Sequence, residues 1–164
     1  FDCCHIAIQY ENLAESLQRL VDADVLISKI HISAALRISD LSTFNDELAP
    51  YAESTYLHQV KALSGEKILT WVDLPQALID LPDMRDITEA RIHFHVPLFW
   101  EASGALLSTR PAMDKRFWSL VKKLGVNHLE AETYTFEVMP QNIKKPSVVD
   151  SLAAELDWCI TQLN

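Results

Sequence analysis

Val25-Leu26-Ile27-Ser28-Lys29-Ile30-His31-Ile32-Ser33 reads as a β-strand, because β-branched residues dominate it. Immediately before it, Leu13, Leu17, Leu20 and Val21 recur at helical spacing, with Glu15, Gln18, Arg19 and Asp22 opposite them, which predicts a helix over 11–23. The same alternation continues outward. Phe1-Asp2-Cys3-Cys4-His5 reads as a strand at the start. Ala90-Arg91-Ile92-His93-Phe94-His95-Val96 is a strand stopped by Pro97, and 126–135 is another. Helices are predicted from Asp73, with Asp as N-cap and Pro75 in the first turn, over 113–124 with Gly125 as C-cap, and from Pro146-Ser147 to about Leu163. Residues 34–72 read as a long loop with a helical piece over 40–52. Strands separated by helices join most simply as parallel units with crossovers. The expected fold is therefore α/β, with four parallel β/α units forming the C-terminal half of a TIM barrel. An open doubly wound sheet is the alternative.

Composition bounds what such a fold can do. The chain has 164 residues, with 14 Lys+Arg against 23 Asp+Glu and a formal net charge of −9. That balance argues against a nucleic-acid partner and against an anionic membrane surface. No apolar run is long enough to insert into a membrane. Three glycines leave no G-x-G-x-x-G and no P-loop. Cys3, Cys4 and Cys159 have neither disulfide-framework nor zinc-ribbon spacing and read as reduced thiols of a cytoplasmic protein. The chain opens in mid-motif, so 1–164 is expected to be a single partial domain. Its partners are then the missing N-terminal half of the same barrel and a small-molecule metabolite. Alone it is expected to self-associate through open sheet edges, or to form a homo-oligomer.

Strand parity carries the functional signal. Residues two apart share a face of a strand. His31 falls with Lys29 and Ser33, His93 with His95, Glu130 with Glu132, and Asp2 with Cys4, each opposite apolar neighbours. In a barrel these polar faces point inward, and sites form at the C-terminal ends of the strands. Asp2, His31, His93, His95, Glu130 and Glu132 would converge there. Such Asp, His and Glu donors suit Mn, Mg, Zn, Fe or Co. Each also has a bland reading: a strand histidine is commonly a satisfied structural residue, and Glu130 could bridge a Lys or Arg.

Phe1-Asp-Cys-Cys-His5, Lys29-Ile-His-Ile-Ser33 and Glu130-Ala-Glu-Thr-Tyr-Thr135 resemble the last third of xylose-isomerase-like TIM barrels. That superfamily includes sugar-phosphate isomerases and epimerases and the endonuclease IV type of apurinic endonuclease. Ser33-Ala-Ala-Leu-Arg37, Tyr56-Leu-His-Gln-Val60, His93-Phe-His-Val-Pro97 and 128–135 resemble more closely the metabolite-traffic barrel family of ebo gene clusters. The resemblance implies a divalent metal held by Asp2, His31 and Glu132, with His5 as a further ligand or substrate contact. The family's earlier metal-binding Glu would lie upstream of residue 1. The His93–Pro97 strand is additional to the epimerase and endonuclease pattern.

Three functions follow as expectations. The first is metal-assisted isomerisation or epimerisation of a small metabolite, with Glu132 and His95 catalytic and His93, Arg37, His58 and Glu130 contacting substrate. The second is metabolite binding or trafficking without turnover. The third is endonuclease-type hydrolysis, which the acidic charge disfavours, since basic pairs such as Lys122-Lys123 and Lys144-Lys145 cannot track a phosphate backbone.

Overall fold

The computed structural model describes residues 1–102, 104–132 and 134–164. Its first regular element is a helix rather than the expected strand. Asp2 accepts a hydrogen bond from the His5 backbone N–H and caps α1 (Cys3–Ile8), so the chain turns into a helix directly after residue 2. Asn12 caps α2 (Leu13–Asp22) in the same way through the Glu15 N–H. The strand that follows is far shorter than its sequence suggests: β1 is Ile30–His31 alone. Its neighbours explain this. On one side it meets a single parallel bridge, Asp2 to His31, and on the other β7 (Leu129–Glu130), in the parallel register Ile30 to Leu129 and His31 to Glu130. With only two residues paired, no ladder continues into 25–29, and Leu26 stays 95 % exposed.

The segment 34–72, expected to be mostly loop, supplies three strands of a second sheet. They are β2 (Ala35–Ile38), β3 (Val60–Ser64) and β4 (Lys67–Trp71). The expected helical piece is present between them as α3 (Phe44–Leu48), flanked by short 3-10 turns. β3 and β4 form a hairpin in which Ser64 pairs with Lys67. Gly65, at φ +58°, occupies the first position of its two-residue turn, a conformation that other residues adopt only with strain. Asp73 caps α4 (Leu74–Asp80), as expected. β5 (Ile87–His95) follows, then β6 (Leu106–Ser108).

This sheet has the order β4-β3-β5-β2-β6, and every pairing in it is antiparallel. The molecule is thus mixed α/β, and the expectation of parallel units throughout is corrected. Parallel pairing among the described residues is confined to Asp2, β1 and β7, and the histidine strand β5 belongs to the antiparallel sheet. Only β3 and β4 are joined by a tight turn, which obliges antiparallel pairing; the direction of β5 against β3 and β2 is set by longer connections through α3 and α4.

One face of β5 puts Ala90, Ile92 and Phe94 into the main apolar core with Phe44, Leu48, Tyr51 and Leu74. The other face carries Glu89, Arg91, His93 and His95, and α1 packs against the same strand. Arg91 reaches the carbonyl of Ala7 and stacks over the Tyr10 ring. α5 (Lys115–Leu124), ended by Gly125 at φ +63°, packs on α2 and on α6 (Val148–Leu163), which Ser147 caps. No helix is long and apolar enough to cross a membrane among the described residues. The cysteines are buried and free.

Candidate metal centre

The site is built where the two sheets meet. The pairing register of β2 with β5 runs from Ala35–His95 to Leu36–Ile92, so His93 and Phe94 form a bulge at the end of the strand. A bulge re-aims side chains, and here it lies at the histidine pair. The His93 and His95 ring centroids are 5.3 Å apart, and the His31 ring lies 5.6 Å from that of His95.

Asp2 is the hub of the polar network. Its Oδ1 accepts from the His5 N–H at 3.0 Å and from the Ser33 hydroxyl at 3.2 Å. Its Oδ2 lies 2.9 Å from Nδ1 of both His31 and His5. Burial works against the carboxylate. The hydrogen bonds from His31 and from the backbone and ring of His5 outweigh that burial and hold Asp2 well below the ordinary carboxylate range. His31 is shifted in the opposite direction. Its hydrogen bond to Asp2 raises it, and burial opposes this only in part. With Nδ1–H donating to Asp2, His31 presents Nε2 to the cluster, 3.4 Å from Glu132 Oε2. The same Glu132 oxygen lies 3.6 Å from His95 Nδ1.

His95 is 3 % exposed and His93 is half-buried. Burial depresses His93 to about 4 and His95 to about 3, with neighbouring histidines adding to the effect. Both rings are therefore neutral near pH 7 and offer lone pairs. Four buried ring nitrogens find no hydrogen-bond partner among the described residues: Nε2 of His31, Nε2 of His93, and both nitrogens of His95. Each unsatisfied buried polar atom costs about 1–3 kcal/mol. Coordination would offset that cost. Two sets of three side chains place their ligand atoms within 4.8 Å of one another: His31–His95–Glu132 and Cys4–His93–His95. Imidazole with carboxylate or thiolate is the donor chemistry of a borderline divalent ion. The residues present fit such an ion.

Of the expected site residues, the structure brings together Asp2, His5, His31, His93, His95 and Glu132. It does not bring in the other three. Arg37 faces Glu89 across the sheet, its Nε 3.6 Å from that carboxylate, in a charged layer with Arg91. His58 is fully buried: Nδ1 lies 3.0 Å from the His93 carbonyl, Nε2 lies 2.8 Å from Glu53, and its N–H donates to Asp73. It holds the backbone behind His93 and reaches no open space. Glu130 is half-buried and pairs with Lys29, its alternative bridging role, and that hydrogen bond lowers its carboxyl.

Asp2 and His5 stand outside the two three-ligand sets. The oxygens of Asp2 are already engaged, and it acts on the centre by orienting His31. Three residues of the site were not assigned roles from sequence. Cys4 lies on the first turn of α1, and its N–H donates to the Ser33 hydroxyl at 3.0 Å. Ser33 links Cys4 to Asp2. The Tyr134 ring lies 4.8 Å from His95 and 5.0 Å from Tyr56. Their parity with Asp2 and His31, and the aromatic two residues after Glu132, were the available signals. Thr133 lies outside the described residues.

A largely apolar groove of about 550 Å³ lies elsewhere, lined by Val21, Asp24, Val25, Leu26, Leu124 and Val126 among others, and includes none of the residues of the two three-ligand sets. No protein-family model, curated protein or solved structure matches the chain.

Proposed function

We propose that the chain belongs to a xylose-isomerase-like barrel protein. In this reading it acts in the cytoplasm on a small polyhydroxylated or carbonyl metabolite, and its His31–His95–Glu132 cluster holds one divalent metal ion. The observation that carries the reading is the set of four orphaned, buried imidazole nitrogens beside a carboxylate that is itself 45 % exposed on its side chain. Buried ligands with an accessible acid describe a site that a substrate can reach. The parallel bridge of Asp2 to His31 and the parallel pairing of β1 with β7 support the barrel part.

When bound, the ion would supply Lewis acidity toward two vicinal substrate oxygens. The chain's own residues do the rest. Asp2 fixes the tautomer of His31, so that Nε2 faces the centre. Glu132 turns Oε2 to the imidazoles, and its carboxylate takes up and returns the proton next to the substrate carbonyl. His95, neutral and held at the strand end, turns Nδ1 toward the same centre as Glu132. His5 lines the open side, its ring 4.5 Å from His93.

The test is metal content by elemental analysis of the folded chain, wild type beside His95→Ala and Glu132→Ala. Near-stoichiometric metal lost in both variants is the expected result, and it leads to a screen of sugars and keto compounds. A folded wild type that takes up no divalent metal overturns the catalytic reading. The site would then be a hydrogen-bonding pocket for a metabolite carried without turnover.

A further inference from the structure

We infer that Cys4, His93 and His95 form a second metal site beside the first, a thiolate-containing site of zinc type that shares His95 with His31 and Glu132. Cys4 is fully buried on the first turn of α1, and its sulfur lies within 4.8 Å of ring nitrogens of His93 and His95. The backbone there is pinned twice, by the Cys4 N–H on Ser33 and by the Asp2 cap, so the thiol is fixed relative to the strand end. His93 brings an orphaned Nε2 to the set.

His95 is the decisive residue. It is 3 % exposed, and both of its ring nitrogens lack partners among the described residues. A neutral imidazole buried for packing alone would have its N–H satisfied; one with both nitrogens open is built to serve two neighbours. Nδ1 faces Glu132, and the ring edge approaches His93. Donor chemistry then separates the two sites. A thiolate and two imidazoles select zinc or cobalt over magnesium, calcium or manganese, and they leave a fourth tetrahedral position open. Metal uptake here would release the Cys4 thiol proton, and filling both sites at once would also release the single His95 ring proton, leaving an imidazolate shared between the two ions. The inference rests on the metal reading above only through the shared His95.

Cobalt titration of the full chain, stripped of metal and kept reduced, tests it. A near-ultraviolet thiolate-to-cobalt charge-transfer band should grow in the wild type and vanish in Cys4→Ala. It should weaken in His93→Ala and persist in Glu132→Gln. A double variant, Cys3→Ala with Cys159→Ala, leaves Cys4 as the sole thiol and should retain the band. It carries the test if Cys4→Ala fails to fold. Visible cobalt absorption without a charge-transfer band overturns the second site and leaves the first intact, as does a band lost from the double variant. A band in the wild type, with no cobalt at all bound by folded Cys4→Ala, upholds the thiolate site and overturns the first. Folded wild type that binds no cobalt overturns both.

Discussion

His58 and His95 are buried within a few residues of the same strand end, yet they sit in opposite chemical states. His58 is 0 % exposed and has both ring nitrogens and its backbone N–H engaged, by Glu53, the His93 carbonyl and Asp73. His95 is 3 % exposed and has no partner for either ring nitrogen among the described residues. Burial is common to both, so burial does not mark the site. Satisfaction separates them. The first histidine is part of the scaffold, and the second is the one on which the proposed metal reading rests.

The largest expected effect comes from breaking the satisfied histidine. His58→Leu leaves Glu53 partly unpaired and removes the donor to the His93 carbonyl. Loss of one partner from a buried charged network costs about 3–5 kcal/mol. Urea unfolding should show that loss, together with weaker metal uptake, because the backbone behind His93 is released. A loss under about 1 kcal/mol would mean that Glu53 finds water, and the contrast with His95 would collapse.

Glu155 extends the comparison to a carboxylate with one weak partner. It is 3 % exposed, accepts a 3.3 Å hydrogen bond from the Leu98 N–H, and is pushed by burial up to about 7 from 4.5. A raised carboxyl binds its proton more tightly folded than unfolded. Stability from this group is therefore greatest below pH 4.5 and is lost as pH rises toward 7. Glu155→Gln keeps the acceptor and removes the charge. It should stabilise the chain above pH 7 by up to about 3 kcal/mol and make no difference near pH 4. Equal midpoints for the two proteins at pH 8 would show that Glu155 is hydrated after all.

How much of this was legible in the sequence follows from the range of the forces involved. The helices at 11–23, 113–124 and 146–163 were readable because their caps and apolar stripes are local: Ser147, Gly125 and the Leu13/Leu17 spacing act within a turn or two. Strand direction is not local. His93 and His95 alternate correctly as a strand, but nothing within 90–96 says that its neighbours are antiparallel. The hairpin turn at Gly65-Glu66 carries that information for β3 and β4, but a single glycine is a weak signal within 34–72. The site fared similarly. Asp2, His31, His93, His95 and Glu132 were legible through parity. Cys4 was not, because the cap at Asp2 starts a helix at residue 3 where the sequence reads as a strand. The fates of Arg37 and His58 depend on Glu89 and Glu53, partners that sequence spacing does not indicate.

A smaller effect should come from His95 itself, and it should have the unusual sign. His95→Leu, of similar volume, removes two unsatisfied nitrogens. In the presence of a chelator it should leave the chain as stable as wild type or more stable by about 1 kcal/mol. With metal restored the order should reverse, since wild type gains about 2.7 kcal/mol at a metal concentration 100-fold above Kd and the variant gains nothing at the His31–Glu132 site. Paired unfolding curves with and without zinc read both terms. If His95→Leu costs about 2 kcal/mol in chelator, its nitrogens are satisfied in solution and the distinction from His58 is lost.

The smallest effect belongs to Glu130, paired directly with His31 in the parallel register and yet outside the proposed ligand sets. It is half-buried and engaged with Lys29, where water screens the pair. Glu130→Gln should therefore leave both the unfolding midpoint and the metal content where they are in wild type, while Glu132→Gln, two residues along the same strand end, lowers metal content. A parallel fall in both variants would place Glu130 among the ligands and widen the centre by one carboxylate. Unequal results would show that a shift of two residues separates an ordinary surface ion pair from a ligand, because only Glu132 reaches nitrogens that have no other partner.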